Sequence, residues 1–112
     1  MREKVERLHA IWKTGDLGAI SEVYSEDFIG HMPKGWERSE FCGHEGVRDA
    51  ILRVRNAFSG WREDIQELLI DGDKAVTRYI STGTHTGPFI GLEATGRPVK
   101  IDEISIYRFD GG

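Results

Sequence analysis

The sequence predicts an α+β domain in which helices pack against one face of a curved antiparallel sheet. Apolar residues recur at helical spacing through the first half of the chain, and from Trp61 onward the pattern changes to that of long strands. The tripeptide DGD joins the first two of these strands as a tight hairpin turn. The chain has 112 residues without an internal repeat or linker, so residues 1–112 are expected to form a single domain with one core.

Three helices are predicted, each from its apolar spacing and from the residues at its ends. The first covers 3–13 and ends at Gly15, because glycine suits the left-handed residue that follows many helices. Asp16 caps the second helix, near 17–24. The segment GVRDAILRVRNAF, residues 46–58, is the clearest helix, since apolar residues occupy one face and arginines the other.

The strands are one short and three long segments. DFIGHMP is β-prone and short, and Pro33 ends it. A loop, KGWERSEFCGHEG, follows and precedes the third helix. WREDIQELLI, KAVTRYISTGTH and VKIDEISIYRF are the long strands, and the glycine-rich segment GPFIGLEATGRP connects the second to the third.

Composition and charge exclude several classes of protein. Hydrophobic residues make up 38% and charged residues 30% of the chain, and no apolar run approaches the ~20 residues of a membrane span. The net charge of −4 argues against a nucleic-acid-binding protein, which normally carries a basic excess. Cys42 is the single cysteine, and no second Cys/His pair follows it, so neither a disulfide framework nor a zinc site is expected. A charged N-terminus without a signal peptide favours the cytoplasm.

Side-chain alternation along the long strands predicts polar groups on the inner wall of the sheet. On the second long strand Arg78, Thr82 and Thr84 share one face, and on the third Glu103 and Ser105 do so. If Arg78 and Glu103 turn inward, they form either a structural ion pair or a pair that also contacts a ligand; exposure of both is the remaining alternative. Both faces of each strand also carry apolar residues, which predicts a polar cavity on one face and a second subunit on the other.

Four segments together resemble the SnoaL-like polyketide cyclase family: LHAIWKTGDLGAISEVYSEDFIGHMP, GHEGVRDAILRVRNAFSGW, DGDKAVTRYISTGTHTGPFIGLEATGRPV and DEISIYRFDGG. This family belongs to the nuclear-transport-factor-two-like superfamily, and the resemblance implies a cone-shaped curved sheet packed against three N-terminal helices. The cyclases carry a catalytic Asp and a nearby His on a final strand. The chain stops at Gly112, so that strand is expected to be missing or truncated. Glu103 and Ser105 stand where the cyclases have Gln and His.

Candidate catalytic residues are His31 or Glu103 as a base, with Arg78 stabilising developing oxyanion charge. A plain surface role is the alternative for His31, and a structural role in its turn is the alternative for His85. Trp36 and Phe41 either form an apolar lid or anchor their loop, and His9 is expected at the edge of the first helix's apolar stripe. The candidate ligand-lining residues are Trp12, Tyr24, Trp36, Phe41, His85, Ser105 and Tyr107.

The sequence therefore leads to two functional hypotheses. The first is cofactor-independent acid–base chemistry, a cyclisation or isomerisation, on a small apolar or aromatic carbonyl compound. The alternative is a non-catalytic module that binds a hydrophobic ligand or serves as a dimeric structural unit. In either case a homodimer through the convex face of the sheet is expected, without metal or cofactor.

Overall fold

The helices and strands of the computed structural model, which describes residues 1–32 and 40–109, confirm the α+β class. In chain order they are α1 Arg2–Thr14, a 3₁₀ turn Leu17–Ala19, α2 Ile20–Val23, β1 Ile29–His31, β2 Glu40–Cys42, α3 Gly43–Ala57, β3 Phe58–Asp71, β4 Lys74–His85 and β5 Pro98–Arg108. The predicted helices all form, and their ends differ from the predicted ends by at most a few residues.

Helix α1 ends at Gly15, as its sequence predicts. Gly15 has φ of 75°, and its backbone N–H donates to the carbonyl oxygen of Ile11 at 2.8 Å. The guanidinium of Arg55, on α3, donates to the carbonyl oxygen of Trp12 at 3.0 Å and also to that of Lys13. The last carbonyls of α1 are thus satisfied partly by a side chain of another helix, which fixes α1 against α3.

The prediction of a loop before α3 is wrong at residues 40–42, which form the short strand β2. It pairs antiparallel with β1, and Gly30 lies opposite Phe41. A Cβ atom at Gly30 would lie only 2.4 Å from Cζ of the Phe41 ring, so this pairing depends on glycine. Three residues are too few to show the alternation that identifies a strand, which is why the sequence pattern misses β2.

The long strands form one antiparallel sheet in the order β3–β4–β5, with β4 in the centre. The DGD turn joins β3 to β4, and Gly72 within it has φ of 61°. The β3–β4 register shifts between Ser59 and Arg62 and again between Ile65 and Glu67. Such irregularities bend a strand and increase its twist, which helps to curve the sheet.

Two apolar clusters form the core, the first between the helices and the second between α3 and the start of β3. The first consists of buried residues Leu8, Ile11, Ile20, Tyr24, Val47 and Ile51, and the second of Val54, Ala57, Phe58 and Trp61. We call the face of the sheet beneath α1 and α3 the inner face; its β4 residues Thr77, Tyr79 and Ser81 are buried. None of the helices in the two described ranges has the length and apolar character needed to cross a membrane.

Candidate functional site

Hydroxyl and carboxyl groups line the inner face along β4 and β5. Thr77, Tyr79 and Ser81 point inward from β4, and Glu103 and Ser105 point inward from β5. The hydroxyl oxygens of Tyr79 and Ser105 lie 2.8 Å apart, and the Ser81 hydroxyl donates to Oε2 of Glu103. The inward placement of Glu103 and Ser105 agrees with the sequence prediction.

A histidine from α1 completes this polar group. Nδ1 of His9 lies 2.7 Å from Oε1 of Glu63, on β3, and the indole N–H of Trp61 donates to the other Glu63 oxygen at 2.9 Å. The second ring nitrogen of His9, Nε2, lies 3.1 Å from the Tyr107 hydroxyl and 3.2 Å from the Thr77 hydroxyl. His9 therefore connects α1 to all three long strands.

His9 and Glu63 also line a groove of about 480 Å³ between α1 and β3. The groove is open to solvent. Its wall combines apolar residues with charged residues of both signs: Arg2, Glu6, Ala10, Lys13, Asp64, Ile65, Gln66 and Leu68. The almost fully buried His9–Glu63 pair thus forms part of the groove wall.

Burial changes the proton affinity of several of these groups. Loss of hydration raises the pKa of Glu103, although the hydrogen bond from Ser81 acts in the opposite direction and the charge of Glu63 adds to the rise. Burial also raises the pKa of Tyr107 to about 12 and raises the pKa values of Tyr79 and Tyr24 further. The phenols therefore stay neutral at ordinary pH and can act as hydrogen-bond donors.

The predicted pairing of Arg78 with Glu103 is wrong. Glu103 lies opposite Tyr79 in the β4–β5 register, whereas Arg78 lies opposite Ile104, on the outer face. The Arg78 guanidinium is 3.4 Å from a carboxylate oxygen of Asp102 and 4.0 Å from one of Glu67. Adjacent residues on a strand point to opposite faces, so a change of one residue in register moves a side chain from one face to the other.

Thr82 and Thr84 also belong to the outer face, together with Arg78. The sequence-based set of inward β4 residues therefore has the wrong parity, because the buried set is Thr77, Tyr79 and Ser81. Both sets contain hydroxyl groups and apolar residues, so the alternation alone does not distinguish them.

The two predicted histidines lie apart from His9. The side chain of His31 is 76% exposed, and its Nδ1 is 3.8 Å from a carboxylate oxygen of Glu40, next to it in the β1–β2 pair. His85 is buried. Its Nδ1 lies 3.1 Å from the Thr95 hydroxyl, and its ring centroid lies 5.2 Å from that of Phe58. The Nδ1 contact fits a structural role, whereas Nε2 of His85 is buried and has no hydrogen-bond partner among the described residues.

The predicted aromatic lining residues pack mainly in the core. The indole N–H of Trp12 donates to the Tyr24 hydroxyl at 2.9 Å, and Tyr24 belongs to the first apolar cluster. Phe41 packs against the same cluster, with its ring centroid 5.7 Å from that of Phe28, so it anchors its strand. Trp36 lies outside the described residues. The Tyr107 hydroxyl does lie among the polar side chains of the inner face, 3.1 Å from Nε2 of His9.

Sequence reasoning missed His9, Glu63 and Trp61 as members of the site. Two signals for them exist. His9 stands four residues after Val5, within the apolar stripe of α1. Trp61 and Glu63 are two residues apart on β3, the spacing of side chains that share one face of a strand.

Among the described residues, no three His, Cys, Asp or Glu side chains are grouped as metal ligands.

Comparisons with known proteins agree with this architecture. The profile of the SnoaL-like polyketide cyclase family matches residues 2–112. TsrD from Streptomyces laurentii is 27% identical, with a TM-score of 0.83 over 98% of this chain and 78% of its own. A protein from Acidithiobacillus ferrooxidans that is classed as a polyketide cyclase is 28% identical, with a TM-score of 0.79 over 97% of this chain and 78% of its own.

IdmH from Streptomyces antibioticus shares the fold at 24% identity, with a TM-score of 0.81 over 99% of this chain and 84% of its own. A search of curated proteins finds no match. The family profile covers almost the whole chain, and the protein shares its fold with these solved structures. The chain therefore belongs to the SnoaL-like polyketide cyclase family.

Proposed function

We propose that the inner face binds a small apolar or aromatic carbonyl compound and promotes its cyclisation or isomerisation by cofactor-independent acid–base chemistry. The observation that carries this proposal is the row of partly or fully buried polar groups on β4 and β5, where apolar side chains normally form the core of a sheet. Polar groups set within an apolar wall are typical of small-molecule sites. Membership of a cyclase family supports the class of reaction.

Glu103 is the member of the predicted catalytic set that we retain. Its carboxyl group accepts a hydrogen bond from the Ser81 hydroxyl on the inner face, and its raised pKa suits it as a proton donor to a bound molecule. The hydroxyls of Tyr79 and Ser105 take over the oxyanion-stabilising role predicted for Arg78, because they lie beside Glu103. His31 and Arg78 have no place in the proposed site, since both point away from it.

A binding module without turnover is the second candidate function. The observation in its favour is that the inner polar groups already satisfy one another, as the Tyr79–Ser105 and Ser81–Glu103 hydrogen bonds illustrate. A ligand would then be held mainly by apolar contact and by exchange of one of these hydrogen bonds.

We also propose that the protein is a homodimer through the outer face of the sheet. Leu69, Ile104 and Ile106 are 64%, 69% and 69% exposed, although they lie in regular strands. Leu69 and Ile106 both lie opposite Val76, so they form one apolar row across the three strands.

The exposed thiol of Cys42 suits a reducing compartment, and we place the protein in the cytoplasm.

Ligand binding is tested by thermal unfolding with a panel of aromatic and polyketide-like carbonyl compounds. A ligand present at a hundred times its dissociation constant is expected to stabilise the protein by ~2.7 kcal/mol. Tyr79→Phe and Glu103→Gln, which change single polar groups on the inner face, are expected to reduce that stabilisation. Thr82→Val, on the outer face, is the matched control and is expected to preserve it. If no compound stabilises the wild-type protein, or if only the control variant loses the effect, the binding proposal is wrong.

A further inference from the structure

We propose that His9 is the general base of this site and that Glu63, held in turn by Trp61, is its positioning residue. The proposal rests on the proposed function, because it assigns the group that moves the proton. It also differs from the sequence prediction, since it places the base on α1 rather than on β1 or β5.

The contacts of Glu63 determine the protonation pattern of the pair. Each of its two carboxylate oxygens faces a ring nitrogen, Nδ1 of His9 at 2.7 Å and the indole Nε1 of Trp61 at 2.9 Å. An ionised carboxylate only accepts hydrogen bonds, so Nδ1 of His9 carries a proton. In the neutral imidazole the other nitrogen, Nε2, then holds the lone pair, as a general base requires.

The hydroxyls beside Nε2 support the same assignment. Tyr107 and Thr77 lie 3.1 and 3.2 Å from Nε2, and both hydroxyls can donate to its lone pair. Many enzymes place a base within hydrogen-bond reach of a hydroxyl group and orient that base with a third side chain, which here is a carboxylate. Here four separate elements, α1, β3, β4 and β5, supply its parts.

The burial of His9 and Glu63 argues against a purely structural role for the pair. The side chains of His9 and Glu63 are 3% and 6% exposed. A well-packed apolar pair of similar volume is often as stable as a buried ionic pair, or more stable, because charged groups lose their hydration on burial. The His9–Glu63 pair also lines the 480 Å³ groove between α1 and β3, which is open to solvent.

The proposed step is the transfer of one proton. A β,γ-unsaturated carbonyl compound displaces a hydroxyl from Nε2, and the proton passes from its α carbon to Nε2 of His9. The electron pair of the C–H bond moves to form a dienolate, whose oxygen accepts a hydrogen bond from the Tyr107 or Thr77 hydroxyl. Return of the proton to the γ carbon gives the α,β-unsaturated isomer and restores neutral His9. Glu63 remains ionised and stabilises the imidazolium that forms.

The test uses nitrobenzisoxazole, an apolar aromatic probe that reports a base in a pocket. The base removes the ring C–H proton, the C–H electrons form a nitrile, and the N–O bond breaks to release a coloured phenolate. Wild-type protein is expected to accelerate this reaction beyond an equal concentration of free imidazole. His9→Gln is expected to lower the rate by about a hundredfold or more, which is the scale of general-base catalysis.

His44→Gln is the matched control, because the His44 ring also forms a hydrogen bond, 2.7 Å from the carbonyl oxygen of Tyr24, but contacts no residue of the inner polar group. Its rate is expected to equal that of the wild type. If the wild type shows no acceleration, or if His9→Gln retains it, the assignment of His9 is overturned.

Glu63→Gln distinguishes positioning from simple structural support. The titratable groups that face His9 are Glu63 from β3, Tyr79 from β4, and Glu103 and Tyr107 from β5. Removal of the Glu63 charge destabilises the imidazolium, so the pH–rate profile of the probe is expected to shift to lower pH as the rate falls. An unshifted profile overturns the role of Glu63.

Two further measurements separate the outcomes. The imidazole N–H proton of His9, observed by NMR in protein with labelled histidine, is expected to be protected from exchange in the wild type and unprotected in folded Glu63→Leu, because leucine offers no acceptor. If ligands still stabilise the protein but turnover of the probe does not depend on His9, binding stands and the base assignment falls. If probe turnover depends on His9 and no ligand binds, the proposed function falls instead.

Discussion

At the scale of single residues, the carboxyl group of Glu103 links the fold to pH. Desolvation raises its pKa above the ordinary value of 4.5, so the folded protein binds a proton more tightly than the unfolded chain does. The contribution of this group to stability is therefore complete below the unfolded pKa. It is lost as the pH rises through the folded pKa, because ionisation is then opposed only in the folded state.

Glu103→Gln is expected to remove this loss. The variant should gain stability relative to the wild type as the pH rises from acid to neutral, while the difference between the two proteins stays constant below the ordinary pKa. Chemical unfolding of both proteins across this pH range measures the effect. Parallel stability curves would show that Glu103 is not desolvated.

Arg78 and His9 show what a sequence can and cannot predict about single side chains. The unusual presence of polar residues on long strands indicated an inner polar wall, and Glu103 and Ser105 do lie there. The face taken by Arg78 depended on cross-strand register, which local sequence does not determine. The role of His9 depended on contacts with residues 54 and 98 positions away, Glu63 and Tyr107.

At the scale of elements, the junction between α1 and α3 depends on Gly15. A Cβ atom at this position would lie 2.6 Å from Nε of Arg55, and φ is 75°. Gly15→Ala is therefore expected to destabilise the protein by about 1–2 kcal/mol, the cost of a left-handed residue, and to displace Arg55 from the carbonyl groups of α1. Urea unfolding measures the change.

Gly18→Ala is the control for that variant. The nearest atom to a Cβ at Gly18 is Oδ1 of Asp16, at 3.5 Å, which is an ordinary contact, and its φ is not positive. The change in stability is expected to be much smaller than at Gly15. Equal losses in the two variants would contradict the explanation from backbone conformation and close packing.

Elements with a long repeating pattern were predictable, whereas the short strand β2 was not. Helices α1 and α3 and the strands β3–β5 each repeat their apolar spacing several times, and all five were predicted. The strand β2, at Glu40–Cys42, exists because it pairs with β1 and because Gly30 admits the Phe41 ring. Both causes lie outside the segment itself.

At the scale of the whole molecule, the apolar outer face predicts self-association. Ile106→Glu places a charge in the apolar row beside Val76 and is expected to weaken the dimer by about tenfold or more, since an unpaired buried charge is costly. Sedimentation at micromolar concentration is expected to show a dimer for the wild type and a monomer for the variant.

Leu92→Glu is the control for the dimer. Leu92 is 65% exposed, about as exposed as Ile106, but it lies in the connection between β4 and β5 rather than on the outer face. The variant is expected to remain dimeric. A monomeric wild-type protein, or dissociation of both variants alike, would contradict the proposed interface.

The contact between His9 and Tyr107 joins residues 98 positions apart in the chain. Closing so long a loop costs conformational entropy, and contacts of this range slow folding. During refolding, helix α1 is expected to form from local contacts before β5 brings Tyr107 to it. The His9–Tyr107 contact is thus expected to form only when β5 docks, so its formation marks the last step of folding.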